Sequence, residues 1–136
     1  NIPRLGFRNL EDFMKYSLVG VSGVLVNLGL YLFLTRYYEI SEVVAPLIAI
    51  ESALISNFIL NNFWTFGKRV TQSRIRVKFI KFHLVSGLSA LINYSVFLAL
   101  FLVFGLFDIL ANLIGIGLAA IVNYLINSNW TWKNNK

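Results

Sequence analysis

The sequence has 136 residues, of which 57% are hydrophobic and only 13% are charged, and it has a net charge of +6 and no cysteine. This composition lies far outside the range of a soluble domain of this length, and the lack of cysteine excludes disulfides and thiol chemistry. We therefore expect the chain to reside in a membrane.

The first fourteen residues combine apolar side chains with charged ones in an amphipathic pattern, which predicts a short N-terminal interfacial helix over residues 1–14. The apolar residues are Phe7, Leu10, Phe13 and Met14, and the charged ones are Arg4, Arg8, Glu11 and Asp12. The chain also begins without an initiator methionine. We expect it to be the downstream part of a longer protein, or a trimmed one.

Four segments follow that are long enough to cross a bilayer, since a helix needs about 20 residues to span roughly 30 Å of hydrocarbon. In chain order they are residues 16–35, 43–66, 82–107 and 109–132. None has the polar stripe of a helix in a soluble bundle. Because backbone groups must be satisfied within lipid, the sequence predicts an all-α membrane protein with four transmembrane helices.

The chain contains an internal repeat, because residues 15–66 and 81–132 align without a gap at a constant offset of 66, with 17 identities in 52 positions. The informative matches are polar or aromatic: Lys15 with Lys81, Asn27 with Asn93, Asn57 with Asn123, Asn61 with Asn127, and Trp64-Thr65 with Trp130-Thr131. Each copy holds two spans and is predicted to form a helical hairpin. Both hairpins should point the same way, as parallel repeats about an axis along the membrane normal.

Basic residues collect on one side of the predicted spans, where eleven of the twelve Lys and Arg lie and only Arg36 is on the other side. By the positive-inside rule, both termini, the loop at residues 67–81 and the tail at 133–136 should be cytoplasmic. The predicted location is therefore multi-pass in the plasma membrane or an equivalent inner membrane. The partner of this charge should be the anionic lipid surface, and no nucleic acid is expected, because the basic segments are short and lack an aromatic stacking platform.

No catalytic constellation is present: the sequence lacks a Gly-rich phosphate loop, a nucleophile beside a base, and a close pair of carboxylates. One histidine and scattered acids make no metal site. The domain itself is therefore expected to be non-catalytic.

Amides recur near the predicted cytoplasmic end of the second and fourth spans. Asn57 and Asn61 are four residues apart and share a helix face, and Asn123 and Asn127 repeat this pattern. One interpretation is hydrogen bonding between helices. The other is that these amides, with nearby cations, bind the phosphate of a lipid. The cationic candidates for that site are Arg69, Arg74, Lys78 and Lys81.

Two further groups of residues stand out. Trp64, Trp130 and Trp132 lie where an aromatic belt is expected, and they are predicted to be interfacial anchors. Glu51 is the one acidic residue inside a span, and counting from the outer ends places it level with Asn27. We expect the two side chains to meet, with Glu51 as a structural carboxyl or as a proton-coupling group.

The pattern resembles a known family of membrane proteins. Lys15 with Leu18-Val19-Gly20, Gly23 and Asn27, followed by Asn57, Asn61 and Trp64-Thr65-Phe66 before a basic loop, is similar to the GtrA-like family over residues 13–132. The second repeat departs from the family's glycine-rich opening, with Ser86-Gly87 in place of Gly20-Val21. Within that family, the chain is most similar to the C-terminal transmembrane domains of archaeal-type dolichyl-phosphate mannose synthases, which are family 2 glycosyltransferases.

The resemblance implies a membrane domain that anchors a polyprenyl or dolichyl phosphate glycosyltransferase and helps place the lipid phosphate at the cytoplasmic surface. The catalytic domain would be a partner in cis or in trans, and any divalent metal would belong to that domain, with no cofactor in this one. Two alternatives stay open at this stage. One is a stand-alone flippase of polyprenyl-phosphate-linked sugars, and the other is a small proton-coupled exporter that uses Glu51.

Overall fold

Four long helices account for most of the chain in the computed structural model, which describes residues 7–135, with side chains from Leu10 onward. They are α1 (Phe7–Arg36), α2 (Ala45–Leu60), α3 (Ile75–Leu98) and α4 (Asp108–Ile126). The last three each continue into a π-helical turn: π1 (Asn61–Thr65), π2 (Ala99–Val103) and π3 (Asn127–Thr131). The described residues contain no strand, and all four helices are long and apolar enough to cross a membrane. The predicted all-α fold with four spans is confirmed.

Helices α1, α3 and α4 begin earlier than the apolar segments that predicted them, whereas α2 begins two residues later, at Ala45. Helix α1 starts at Phe7, so the described part of the N-terminal amphipathic segment is continuous with the first span, and residues 1–6 lie outside the described chain. Helix α3 starts at Ile75, inside the segment predicted as a loop. Lys and Arg are good helix formers, and they can extend a membrane helix into water without a change in backbone conformation.

The chain divides into two compact units, Asn1–Lys68 and Arg69–Lys136. In the first hairpin α1 packs on α2, and in the second hairpin α3 packs on α4. Small residues four apart make the buried ladder of the second helix in each hairpin: Ala45, Ala49 and Ala53 on α2, and Ala111, Gly115 and Ala119 on α4. Small side chains let helix backbones approach closely, which is how helices associate in lipid.

Each hairpin is apolar outside and partly polar inside. Large side chains such as Leu25, Leu47, Leu91 and Leu113 are exposed. Asn61, Thr65, Ser89, Asn127 and Thr131 are buried. Such a distribution suits a hydrocarbon solvent, in which polar groups are costly unless they face the interior of the protein.

The two hairpins reverse direction through the same loop geometry. Glu39 has φ +55°, and the next residue, Ile40, donates its N–H to the carbonyl of Leu34 at 2.9 Å. At an offset of 66, Gly105 has φ +70°, and the N–H of Leu106 bonds the carbonyl of Leu100 at 3.0 Å. The left-handed conformation suits glycine, but it costs a residue with a Cβ atom about 1–2 kcal/mol.

A glycine faces an asparagine of the partner helix in each hairpin, but at positions that the repeat does not relate. A Cβ at Gly23 of α1 would lie 2.6 Å from Nδ2 of Asn57 on α2. A Cβ at Gly115 of α4 would lie 2.6 Å from Oδ1 and 2.8 Å from the backbone oxygen of Asn93 on α3. The second contact is less adjustable, because it includes backbone.

We predict that Glu39→Gly raises the stability of the protein by about 1 kcal/mol, because it removes the left-handed strain from an exposed loop. Glu42→Gly, in the same loop but without a positive φ, should give no such gain. Urea unfolding in detergent micelles would measure both changes. A loss of stability in Glu39→Gly would contradict this account of the loop.

We also predict that Gly115→Ala destabilises the protein by about 1–3 kcal/mol, because a methyl group there overpacks against the backbone of Asn93. Gly23→Ala should cost less, since the Asn57 amide can rotate. Gly117→Ala and Gly20→Ala are matched controls, because a Cβ at either position meets nothing within 4 Å. Thermal unfolding of the four variants in one detergent checks this order, and equal melting temperatures would refute it.

Candidate functional site

The candidate site lies at what we term the basic end of each hairpin, where its first helix begins and its second helix finishes. In the first hairpin, the Thr65 hydroxyl donates to Oδ1 of Asn61 at 2.8 Å, and the Asn61 side chain is only 2% exposed. In the second hairpin, Thr131 donates to Oδ1 of Asn127 at 2.7 Å, and Asn127 is 0% exposed. These two amides are therefore buried and hydrogen-bonded within their own helices.

The π-helical turn gives both helix ends the same shape. The N–H of Phe66 bonds the carbonyl of Asn61 at 2.8 Å, and the N–H of Trp132 bonds that of Asn127 at 2.8 Å. Each bond spans five residues instead of four, so one extra residue is accommodated in the turn. Trp64 and Trp130, two residues before these donors, are exposed on the outside of the hairpins. The rings of the donors themselves, Phe66 and Trp132, are buried inside.

The three tryptophans consequently occupy two kinds of position. Trp64 and Trp130 are 46% and 44% exposed, and their role as interfacial anchors stays a prediction. Trp132 is 1% exposed, and its ring centroid lies 5.8 Å from that of Phe82. The sequence places Trp132 among the predicted interfacial anchors, whereas in the structure its side chain is buried inside the hairpin. It corresponds to Phe66, which packs 6.0 Å from the ring of Tyr16.

A lysine from the first helix of each hairpin lies over the exposed tryptophan. Nζ of Lys15 is 5.4 Å from the ring centroid of Trp64, and Nζ of Lys81 is 4.9 Å from that of Trp130. Lys15 also pairs with Glu11 at 3.1 Å, one helical turn earlier. A cation over a tryptophan face gains about 0.5–1 kcal/mol at an exposed site. The two lysines that the repeat matches are therefore placed equivalently in the structure.

Arg69 closes the end of the second hairpin. Its guanidinium donates to the carbonyl of Ser128 at 2.6 Å, to the Ser128 hydroxyl at 2.9 Å and to the carbonyl of Trp132 at 3.1 Å. The last carbonyls of a helix lack partners within the helix and favour a cation. Sequence reasoning proposed Arg69 for a lipid phosphate. Its structural role was missed, because no local pattern links residue 69 to the end of α4.

The segment next to Arg69 is also fixed to the C-terminal tail. The N–H of Asn135 donates to the carbonyl of Val70 at 2.8 Å, and the N–H of Val70 donates to Oδ1 of Asn134 at 3.4 Å. Both bonds lie within the second unit. Hydrogen bonds therefore join the C-terminal tail to the start of the basic segment, next to the end of α4.

The other cationic candidates lie at the start of α3, either directly before it or in its first turns. Arg74 precedes the helix and is exposed, whereas Lys78 is partly buried and donates to the Thr71 hydroxyl at 3.2 Å. The start of α3 has no side-chain cap and no acidic residue in its first turn. Unpaired N–H groups at a helix N-terminus attract anions, so Arg74, Lys78 and Lys81 reinforce a positive helix end.

The two amides one turn before Asn61 and Asn127 in the predicted clusters differ in their contacts. Asn123 accepts a hydrogen bond from Nδ2 of Asn127 at 2.7 Å. Oδ1 of Asn57 is buried without a hydrogen-bond partner, beside Gly23. The described structure thus links the amides into a chain in the second hairpin, whereas in the first Asn57 is turned toward α1.

Glu51 and Asn27 occupy different environments in the first hairpin. Glu51 lies on the exposed face of α2, and Asn27 is half-buried on α1. The expected contact between the two side chains stays a prediction.

Comparison with known proteins identifies a family and a relative. The family described as the GtrA/DPMS transmembrane domain matches residues 15–133. The chain is also 37% identical over 123 residues to a protein of Pyrococcus furiosus named dolichol-phosphate mannosyltransferase. That alignment covers 90% of this chain but only 34% of the relative, so the chain spans about a third of the relative's length. With four helices able to span a bilayer and a family match over nearly its whole length, the chain is a multi-pass membrane protein that belongs to the GtrA/DPMS transmembrane-domain family.

Proposed function

We propose that this chain is the membrane domain of a polyprenyl phosphate glycosyltransferase, specifically a dolichyl-phosphate mannosyltransferase. The observation that carries the proposal is the match to a protein named dolichol-phosphate mannosyltransferase, in which the matched stretch makes up only 34% of the length. A catalytic domain, in cis or in trans, would supply the transfer chemistry. The four spans would hold that domain at the bilayer surface where its lipid substrate resides.

The domain's second task in this proposal is to place the lipid phosphate at its basic end. A polyprenyl phosphate has an apolar chain that stays in the bilayer and an anionic head at the surface. The uncapped start of α3, with Arg74 directly before it and Lys78 and Lys81 in its first turns, supplies N–H groups and cations for that head. Arg69 takes part indirectly, since its guanidinium is bonded to the end of α4.

The amides take a supporting role in this arrangement. Asn61 and Asn127 are buried and hold the helix ends in shape through Thr65 and Thr131. Asn57 and Asn123 lie one turn deeper, and we propose that they contribute polar contacts on the path of the lipid head. By the positive-inside rule, we propose that the basic end lies on the cytoplasmic side of the plasma membrane.

The mass of the native gene product tests the anchoring role. For a catalytic domain in cis we expect an intact mass well above 15.5 kDa, and for one in trans we expect a glycosyltransferase to copurify, because the transfer chemistry has to come from residues outside these spans. Mass spectrometry of the protein extracted from its own membrane measures this. A mass near 15.5 kDa, with no copurifying glycosyltransferase, would overturn the anchor and favour a stand-alone flippase of polyprenyl-phosphate-linked sugars.

The cation variants test the phosphate site. We expect Arg74→Gln, Lys78→Gln and Lys81→Gln together to weaken retention of a polyprenyl phosphate in native mass spectrometry by at least ~10-fold, because each cation near an anionic head contributes about 1 kcal/mol. Arg36→Gln is the matched control, since Arg36 is an exposed cation at the opposite end of the first hairpin. Equal retention by the triple variant and the control would refute the site.

The amides form a separate arm of the same experiment. Asn57→Ser with Asn123→Ser should weaken retention less than the cation variants, because neutral donors hold a phosphate less tightly than charged ones. Thermal unfolding in detergent confirms that the variants fold. If the amide variant folds normally and retains the lipid as well as the wild type does, Asn57 and Asn123 are not part of the site.

A further inference from the structure

A cleft of about 430 Å³ opens between α3 and α4 in the second hairpin. It lies toward the end opposite the basic one, because its lining includes Asp108, the first residue of α4, and Asn112 one turn later. Asn93, Tyr94 and Phe97 line it from α3. None of these residues belongs to the proposed phosphate site.

The cleft extends from the start of α4 into the hairpin. Asn93 packs against Gly115, which is seven residues beyond Asp108 in α4. At about 1.5 Å of rise per residue, the polar lining therefore reaches roughly 10 Å below the end of the helix. The polar lining is long enough to hold a lipid headgroup, and the hydrocarbon chain of that lipid can continue over the exposed apolar faces of the same helices.

Asn93 provides an unsatisfied polar group in the wall of the cleft. Its Oδ1 is buried and has no hydrogen-bond partner. The missing Cβ of Gly115 makes room for this amide, since a Cβ there would lie 2.6 Å from the oxygen. An unpaired buried acceptor is costly, so a ligand that donates a hydrogen bond has something to gain. Binding requires the amide to rotate about its soft terminal torsion, because the oxygen lies against Gly115 in the structure.

The lining matches the chemistry of a polyhydroxylated ligand. The Asp108 carboxylate accepts hydrogen bonds from hydroxyl groups, and the amides of Asn93 and Asn112 both donate and accept them. Tyr94 and Phe97 add aromatic surface for the C–H face of a sugar ring. A small number of polar groups in an otherwise apolar cleft is the usual composition of a site that binds a small ligand.

The internal repeat shows that helix packing does not require this set of side chains. At an offset of 66, the first hairpin has Asn27 for Asn93, Leu28 for Tyr94 and Tyr31 for Phe97. It also has Glu42 for Asp108 and Pro46 for Asn112. The same fold thus tolerates Leu28 and Pro46, which cannot make the contacts of Tyr94 and Asn112. The combination of two amides, a carboxylate and two rings is complete only in the second hairpin.

We propose that this cleft binds the polyhydroxylated headgroup of a lipid, at the end of the second hairpin that lies away from the basic residues. The hydroxyls bond Asp108, Asn112 and Asn93, a sugar ring lies against Tyr94 and Phe97, and the hydrocarbon chain remains in the bilayer. The proposal does not rest on the phosphate site, because the two sites share no residue and are tested by different variants.

Native mass spectrometry of the intact protein in a sugar-free detergent tests the cleft with three probes: monoglucosyl diacylglycerol, diacylglycerol without the sugar, and methyl glucoside. We expect the glycolipid to bind at least ~10-fold more tightly than diacylglycerol, since only it offers hydroxyls to the polar groups in the cleft. Asp108→Asn, Asn112→Leu and Tyr94→Leu together should reduce glycolipid binding to the level of diacylglycerol. Glu42→Gln with Tyr31→Leu, at equivalent positions of the first hairpin, should leave it unchanged.

A cross-linking measurement on the wild-type protein keeps the proposal testable if the triple variant fails to fold. A glycolipid with a diazirine on its sugar should label residues 90–112 on irradiation. Labelling confined to other segments, or equal binding of glycolipid and diacylglycerol, would overturn the site. Binding of methyl glucoside as tight as that of the glycolipid would overturn the assignment to a lipid. The Arg74, Lys78 and Lys81 variant should bind the glycolipid normally, so failure of one proposal does not imply failure of the other.

Discussion

The structure depends on one constraint: a chain dissolved in hydrocarbon must satisfy its polar groups from within. Helices do so for the backbone, and the buried Asn–Thr pairs do so for the side chains at the helix ends. Asn61 and Asn127 each accept a hydrogen bond from the threonine one turn later, while leucines cover the outside. Arg69 meets the same constraint where α4 ends, because it supplies donors to carbonyls that no later residue of the helix can reach.

The overall fold was predictable because its signals are local. A run of about 20 apolar residues identifies a span regardless of what surrounds it, and the offset of 66 relates two hairpins without any coordinates. The first residues of α1 and α3 were harder to predict from the sequence. Hydropathy reports where a helix enters hydrocarbon, but Phe7 and Ile75 begin helices that extend beyond that boundary. The alanine ladder of α2 was also missed, although Ala45, Ala49 and Ala53 show the spacing of one helix face.

The site was only partly predictable, because side chains with the same sequence context have different tertiary contacts. The repeated Asn and Trp residues of the second and fourth spans lie in or next to the π-helical turns at the basic end, and their role in a site stays a prediction. Nothing near residue 69 indicated that Arg69 would reach Ser128, and nothing in Trp130-Thr131-Trp132 separated the exposed ring from the buried one. Those distinctions arise from the π-helical turn and from contacts across 59 or more residues, which a linear pattern does not contain.

The glycine lies on the first helix of one hairpin and on the second helix of the other, and the asparagine that it contacts lies on the opposite helix each time. The two hairpins are therefore not equivalent in their packing. Asn57 of the second helix meets Gly23 in one hairpin, whereas Asn93 of the first helix meets Gly115 in the other. Ser89 and Ala49 occupy the positions that correspond to the two glycines. A protein assembled from two copies of either hairpin would keep the spans and the helix ends, but it would hold only one of the two kinds of interhelical contact. Duplication supplied the architecture, and divergence within each helix pair then made two distinct modules.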